Sequence, residues 1–130
     1  MDNIIMRVAF GKRRMYLSRF TIKRLGNPTH LNFWFDDHEG NFFVTAADKD
    51  DLDAYQIQEN FWKTTKRSCE ISRFPFLLAL QYRIGWENNG VYLYEGIIGE
   101  SGDKPAAVFN LIEGTHLDKE ESVKEEMQSG

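Results

Sequence analysis

The chain reads as a β-rich α+β protein, built from two copies of one strand-strand-helix-hairpin unit that share a pseudo-two-fold core. Three observations predict this. Lys12-Arg13-Arg14-Met15-Tyr16-Leu17-Ser18-Arg19-Phe20 and Lys66-Arg67-Ser68-Cys69-Glu70-Ile71-Ser72-Arg73-Phe74 follow one pattern, 54 positions apart. Each is K-R, three variable residues, an aliphatic residue, then S-R-F, and each leads to an aliphatic-glycine pair, Leu25-Gly26 or Ile84-Gly85. Aromatic residues make up 14% of the chain, ten Phe and three Trp among them, which favours strands over a helical bundle.

The elements follow in order. Ile4 to Phe10 alternates loosely and predicts a strand, closed by a turn at Gly11-Lys12-Arg13. Arg14 to Leu17 is a second short strand. Ser18 is a good N-cap for a short helix, Arg19 to Leu25, because its hydroxyl can accept an orphan amide. Gly26 suits the left-handed end of that helix, and Pro28 prevents its continuation. Leu31, Phe33 and Phe35 share one face of a strand. The polar run Asp36 to Asn41 is a turn, and Phe42 to Thr45 is the returning strand.

The order then repeats. Ala54 to Gln58 is a strand candidate, Lys63 to Arg67 a basic turn, and Cys69 to Ile71 a strand. Ser72 caps a longer helix, which tolerates Pro75 in its first turn and carries Phe74, Leu77, Leu78 and Ile84 near one stripe. Val91 to Tyr94 is a strand, Gly99 to Pro105 a loop, and Ala107 to Ile112 the closing strand. The predicted divisions are residues 1–47 for the first unit, 48–53 for an acidic connector, 54–113 for the second unit and 114–130 for an acidic, disordered tail.

Composition sets the class. A chain of 130 residues, 42% hydrophobic, is large enough for a real core. The single cysteine, Cys69, leaves no intramolecular disulfide and suits a reducing cytoplasm. No apolar run nears the roughly 20 residues a membrane-spanning helix needs. The net charge of −4 argues against indiscriminate coating of nucleic acid, but the charge is unevenly placed. Seven Lys or Arg precede His30 against one acid, whereas six acids and two lysines follow from Glu113 onward.

A basic turn, a short strand, a capped helix ending in Leu-Gly and an aromatic-rich hairpin together resemble the AbrB-type swapped-hairpin unit, at about residues 4–46 and again at about 54–112. Ser18 and Ser72 stand where that family carries a proline. The resemblance implies that two units interleave their hairpins into one small barrel, here within a single chain, as in MraZ proteins. It also implies a transcription regulator or antitoxin whose basic turns approach DNA. By position, the implied DNA contacts are Lys12, Arg13, Arg14 and Arg19 in the first unit and Lys66, Arg67 and Arg73 in the second.

The residues themselves point the same way. Paired basic turns can neutralise phosphates and release counterions, and arginine can fork onto guanine edges. Arg19 and Arg73 open their helices, where positive charge is slightly unfavourable, so each needs an acidic neighbour or a bound anion. Other chemistry is thin. Asp48, Asp50 and Glu59 fit three positions of a calcium loop, but Leu52 and Asp53 occupy places that require an oxygen ligand and a glycine. His30, His38 and His116 are scattered, so neither a metal nor a cofactor is expected. Cys69 reads as a buried small hydrophobe, and Trp34, Trp62 and Trp86 as core. The function expected is a cytoplasmic, non-enzymatic DNA-binding regulatory protein contacting duplex DNA. The alternative is a non-catalytic protein-interaction module, antitoxin-like or a mobile-element accessory protein, whose acidic tail wraps a basic partner.

Overall fold

The computed structural model describes residues 4–72 and 74–117. Strand β1 (Ile4–Ala9) buries Met6 and Val8 and turns through a 3-10 segment, Phe10–Lys12, into β2 (Arg14–Ser18). The turn falls where the sequence predicts it, but the left-handed residue is Arg13 (φ 59°), not Gly11. Helix α1 (Arg19–Arg24) starts at Ser18, whose Oγ accepts the Thr21 amide at 3.2 Å. Thr21 is itself fully buried, and its hydroxyl meets Ser18 Oγ at 2.7 Å and the Ile5 amide at 3.3 Å. One small network thus fixes the helix start against β1. Gly26 (φ 93°) ends the helix in the left-handed region that glycine enters without strain. The hairpin β3 (His30–Asp36) and β4 (Asn41–Ala47) follows, with Leu31, Phe42 and Val44 turned inward.

The second half departs from the expected copy at its start. Strand β5 is only Tyr55–Gln56 and pairs with β3. A short helix, α2 (Glu59–Lys63), then fills the stretch between the expected strand and the expected basic turn and takes in the first residue of that turn, Lys63. Strand β6 (Ser68–Ile71) and helix α3 (Phe74–Ile84) resume the predicted order. The buried stripe of α3 contains Leu77 and Leu80, whereas Leu78 faces solvent. Strand β7 (Val91–Ser101) runs through the region expected to be a loop and returns by a two-residue turn into β8 (Lys104–Asn110). Within the expected tail, Thr115–Leu117 forms β9 against β7. The remainder of that tail lies outside the described residues.

All strand pairs are antiparallel, in the order β5-β3-β4-β8-β7-β1-β2-β6, with β9 beside β7. This curled sheet wraps one core drawn from both halves, including Met6, Met15, Leu17, Ile22, Phe42, Ile71, Leu77 and Phe109. Leu17 and Ile71, the aliphatic residues of the two matching motifs, are both fully buried; Phe20, in the first motif, is only half-buried. Gly96 is the corner of the fold. Up to Gly96, β7 pairs with β1; from Ile97 it pairs with β8. A Cβ there would lie 2.4 Å from the Val108 carbonyl oxygen and 2.6 Å from the Phe109 ring, so only glycine lets the strands approach this closely. The two outermost strands, β5 and β6, are bridged by a side chain: Tyr55 Oη donates to the Glu70 carbonyl at 3.3 Å and accepts from the Ser72 amide at 3.4 Å.

Candidate nucleic-acid interface

The outer face of β1, β2 and β6 carries the basic residues. Strand alternation sends Met15, Leu17, Cys69 and Ile71 into the core, which turns Arg14, Tyr16 and Glu70 outward. Register sets Tyr16 opposite Arg7 on one side and opposite Glu70 on the other. The Arg7 guanidinium lies over the Tyr16 ring, 4.5 Å from its centre. Arg14 Nη1 pairs with Glu70 Oε1 at 2.7 Å, and that hydrogen bond raises the guanidinium pKa above its usual value. Neither Arg7 nor Tyr16 stood out as a site residue in sequence; only the β1–β2 register brings them together.

The two basic turns lie at opposite ends of the β2–β6 pair. Lys12 and Arg13 precede β2, Lys66 and Arg67 precede β6, and the strands run antiparallel with Ser18 opposite Ser68. A five-residue strand is about 13 Å long, which sets the order of their separation. All four side chains are exposed.

Arg19 is tied to the backbone around the end of α2. Its Nε donates to the Lys66 carbonyl at 2.7 Å, and its Nη2 donates to the Phe61 carbonyl at 2.7 Å and the Thr64 carbonyl at 3.0 Å. The guanidinium also sits 3.9 Å from the centre of the Phe61 ring. Carbonyls at and beyond the end of α2 meet its charge. The Arg19 amide donates to the Arg67 carbonyl at 2.6 Å. Arg19 therefore shapes the second basic turn from behind, leaving Lys66 and Arg67 on the outside. Arg73 lies outside the described residues.

The chain matches no protein-family model, no curated protein and no solved structure in comparisons with each. Its site must therefore be judged on its own chemistry. Among the described residues there is no His, Cys, Asp and Glu cluster able to hold a metal ion, and no helix long and apolar enough to cross a membrane. Cys69 is buried on the core side of β6, and burial pushes its thiol up to about 11, away from nucleophilic use. Trp86 is core, as expected, and its indole N–H donates to the Tyr94 hydroxyl at 2.6 Å. Trp34 is not: it is 39% exposed and stacks on Phe43 at 5.7 Å. Register continues this apolar row through Val108 to Ile97, which is 69% exposed. A cavity of about 440 Å³ lies elsewhere, walled by Phe35, Trp86, Tyr92 and Tyr94 and rimmed by the Arg83–Asp37 ion pair.

Proposed function

We propose that the protein is an internally duplicated, AbrB-like DNA-binding regulator that contacts duplex DNA through its two basic turns. The observation that carries this reading is the β2–β6 register. Moving 54 positions along the chain turns the pair Met15↔Ile71 into Cys69↔Leu17, a pair also present, so the two motifs meet about a local two-fold. The hairpins β3–β4 and β7–β8 likewise meet antiparallel, through β4 and β8. α2 is the departure, since it interrupts what a full second copy would complete as a strand. On this reading the two turns hold equivalent places at either end of the β2–β6 pair, about 13 Å apart, near the roughly 12 Å width of a major groove. Lys12, Arg13, Lys66 and Arg67 then engage phosphates on either side, while Arg7, Tyr16 and Arg14 face the groove between them. Arg19 supports the second turn without touching DNA.

The test is a titration against mixed-sequence duplex at low and moderate salt. Lys12→Gln with Arg13→Asn, and Lys66→Gln with Arg67→Gln, should weaken binding by similar factors. Each lost phosphate contact should reduce the logarithmic salt slope by about 1. Asn is chosen at position 13 because it tolerates the left-handed backbone there. Absence of binding by the unaltered chain at low salt would refute the proposal. That result would favour a protein-interaction module, for which the exposed row from Trp34 to Ile97 offers a surface.

A further inference from the structure

Three segments converge where α3 ends: the residues just past the helix, the start of β7 and the turn between β3 and β4. Tyr92 and Tyr94 are two positions apart on β7, so strand alternation puts both on one side of it. The segment after α3 ties down each of them. The Trp86 indole N–H donates to the Tyr94 hydroxyl at 2.6 Å, and the Glu87 amide donates to the Tyr92 hydroxyl at 2.8 Å. The Trp86 ring lies 5.9 Å from that of Tyr92 and 6.5 Å from that of Tyr94, centre to centre. With Phe35 from β3, these rings wall the cavity of about 440 Å³, a size that takes a small organic molecule whole.

The described lining carries one anion, Asp37, and one cation, Arg83, which pair with each other at the rim, each about half exposed. Arg83 engages Oδ2 of Asp37, and a carboxylate can accept about four hydrogen bonds, so Asp37 can meet a second cation. Arg83 and Ile84 close α3, whose last carbonyls have no helical donors and form the negative end of its dipole. Aromatic ring faces are negative too and attract ammonium ions. We propose that this cavity binds a small organic cation, an alkylated ammonium on an apolar body. The body packs among Phe35, Trp86 and the two tyrosines, and the ammonium lies towards Asp37 and the end of α3. An anion would gain Arg83 only by displacing Asp37, and would then lie among groups that repel it. Neither basic turn lines the cavity, so this site stands apart from the DNA reading.

The test titrates the full chain with benzyltrimethylammonium, with its neutral carbon isostere neopentylbenzene, and with the anion phenylmethanesulfonate, read by nitrogen–proton correlation spectra. The cation should saturably shift the Trp86 indole N–H and the Gly85 and Tyr94 amides, with a Kd of about 1 mM or tighter. The isostere and the anion should bind at least about fivefold more weakly. Asp37→Asn should weaken the cation about three- to tenfold, and Arg83→Gln should tighten it by a similar factor by releasing Asp37. Residues that only brace the fold would not move affinity in opposite directions from the two ends of one ion pair. Both positions are half exposed, so both variants should fold, and the three-probe comparison needs neither. No saturable shift up to about 10 mM, or shifts confined to residues away from the cavity, would overturn the proposal. So would equal binding of the isostere, tighter binding of the anion, or weaker binding of the cation by Arg83→Gln. A trimethyllysine peptide that binds more tightly than the free cation would overturn the assignment to a small molecule.

Discussion

Replacing Arg19 with Ala tests how the second basic turn is built. The substitution removes three charge-assisted hydrogen bonds, to the carbonyls of Phe61, Thr64 and Lys66, and a guanidinium–ring contact at 3.9 Å. Hydrogen bonds to charged groups contribute about 1.5–3 kcal/mol each, but three on one side chain do not add. Arg19 is also partly solvated, so water can recover part of the lost bonding. The expected loss is about 3 kcal/mol. With a urea slope on the order of 1.5 kcal/mol per molar, the midpoint should fall by about 2 M. Arg19→Lys keeps the charge but not the fork, so it should recover no more than half. Amide resonances of residues 64–68 should shift in both variants, while those of Lys12 and Arg13 stay in place. A loss below about 1 kcal/mol, or full rescue by lysine, would show that the turn holds itself and that Arg19 only decorates it.

Gly96→Ala should be severely destabilising, by about 3 kcal/mol or more, because its methyl would strike the Val108 carbonyl oxygen and the Phe109 ring at the strand corner. Thermal unfolding followed by circular dichroism reads this directly, and Gly99→Ala, whose nearest neighbour would be 3.7 Å away, is the mild control. Alkaline conditions should also weaken the fold through Cys69. Burial raises its thiol from 9.0 to about 11, so between those pH values the unfolded chain has lost a proton that the native chain keeps. Stability is then unaffected below pH 9 and falls by on the order of 2 kcal/mol towards pH 11. Cys69→Ala should flatten that part of the profile, measured by urea midpoints across pH.

What could be read in the sequence was local chemistry. Ser18 caps α1, Gly26 ends it, and the polar run from Asp36 to Asn41 turns β3 into β4, each through groups within a few residues. α2 was illegible for the opposite reason. Its five residues are held partly by Arg19, some forty positions away, through carbonyls that look alike in every residue. Gly99 suggested a loop, yet it pairs with Ala106 and β7 runs on through it. Leu78 and Leu80 are chemically indistinguishable, and only the packing decided which faces inward. At the candidate site, the basic turns were visible as charge. Arg7 over Tyr16 and Arg14 with Glu70 needed strand register, which no short-range signal encodes.

The place of β1 between β2 and β7 has a consequence during synthesis. β2 emerges at once, but β7 begins at Val91, so at about 5–20 residues per second it follows roughly 4–16 seconds later. Throughout that interval one edge of Ile4–Ala9 presents unpaired backbone groups beside a largely aliphatic sequence, the kind of template that recruits other nascent strands. Arg7 stands in the middle of that edge. A charge at that position discourages pairing with a neighbouring chain while leaving the later closure by β7 possible, so the residue that stacks on Tyr16 in the finished protein also guards β1 before the protein is finished.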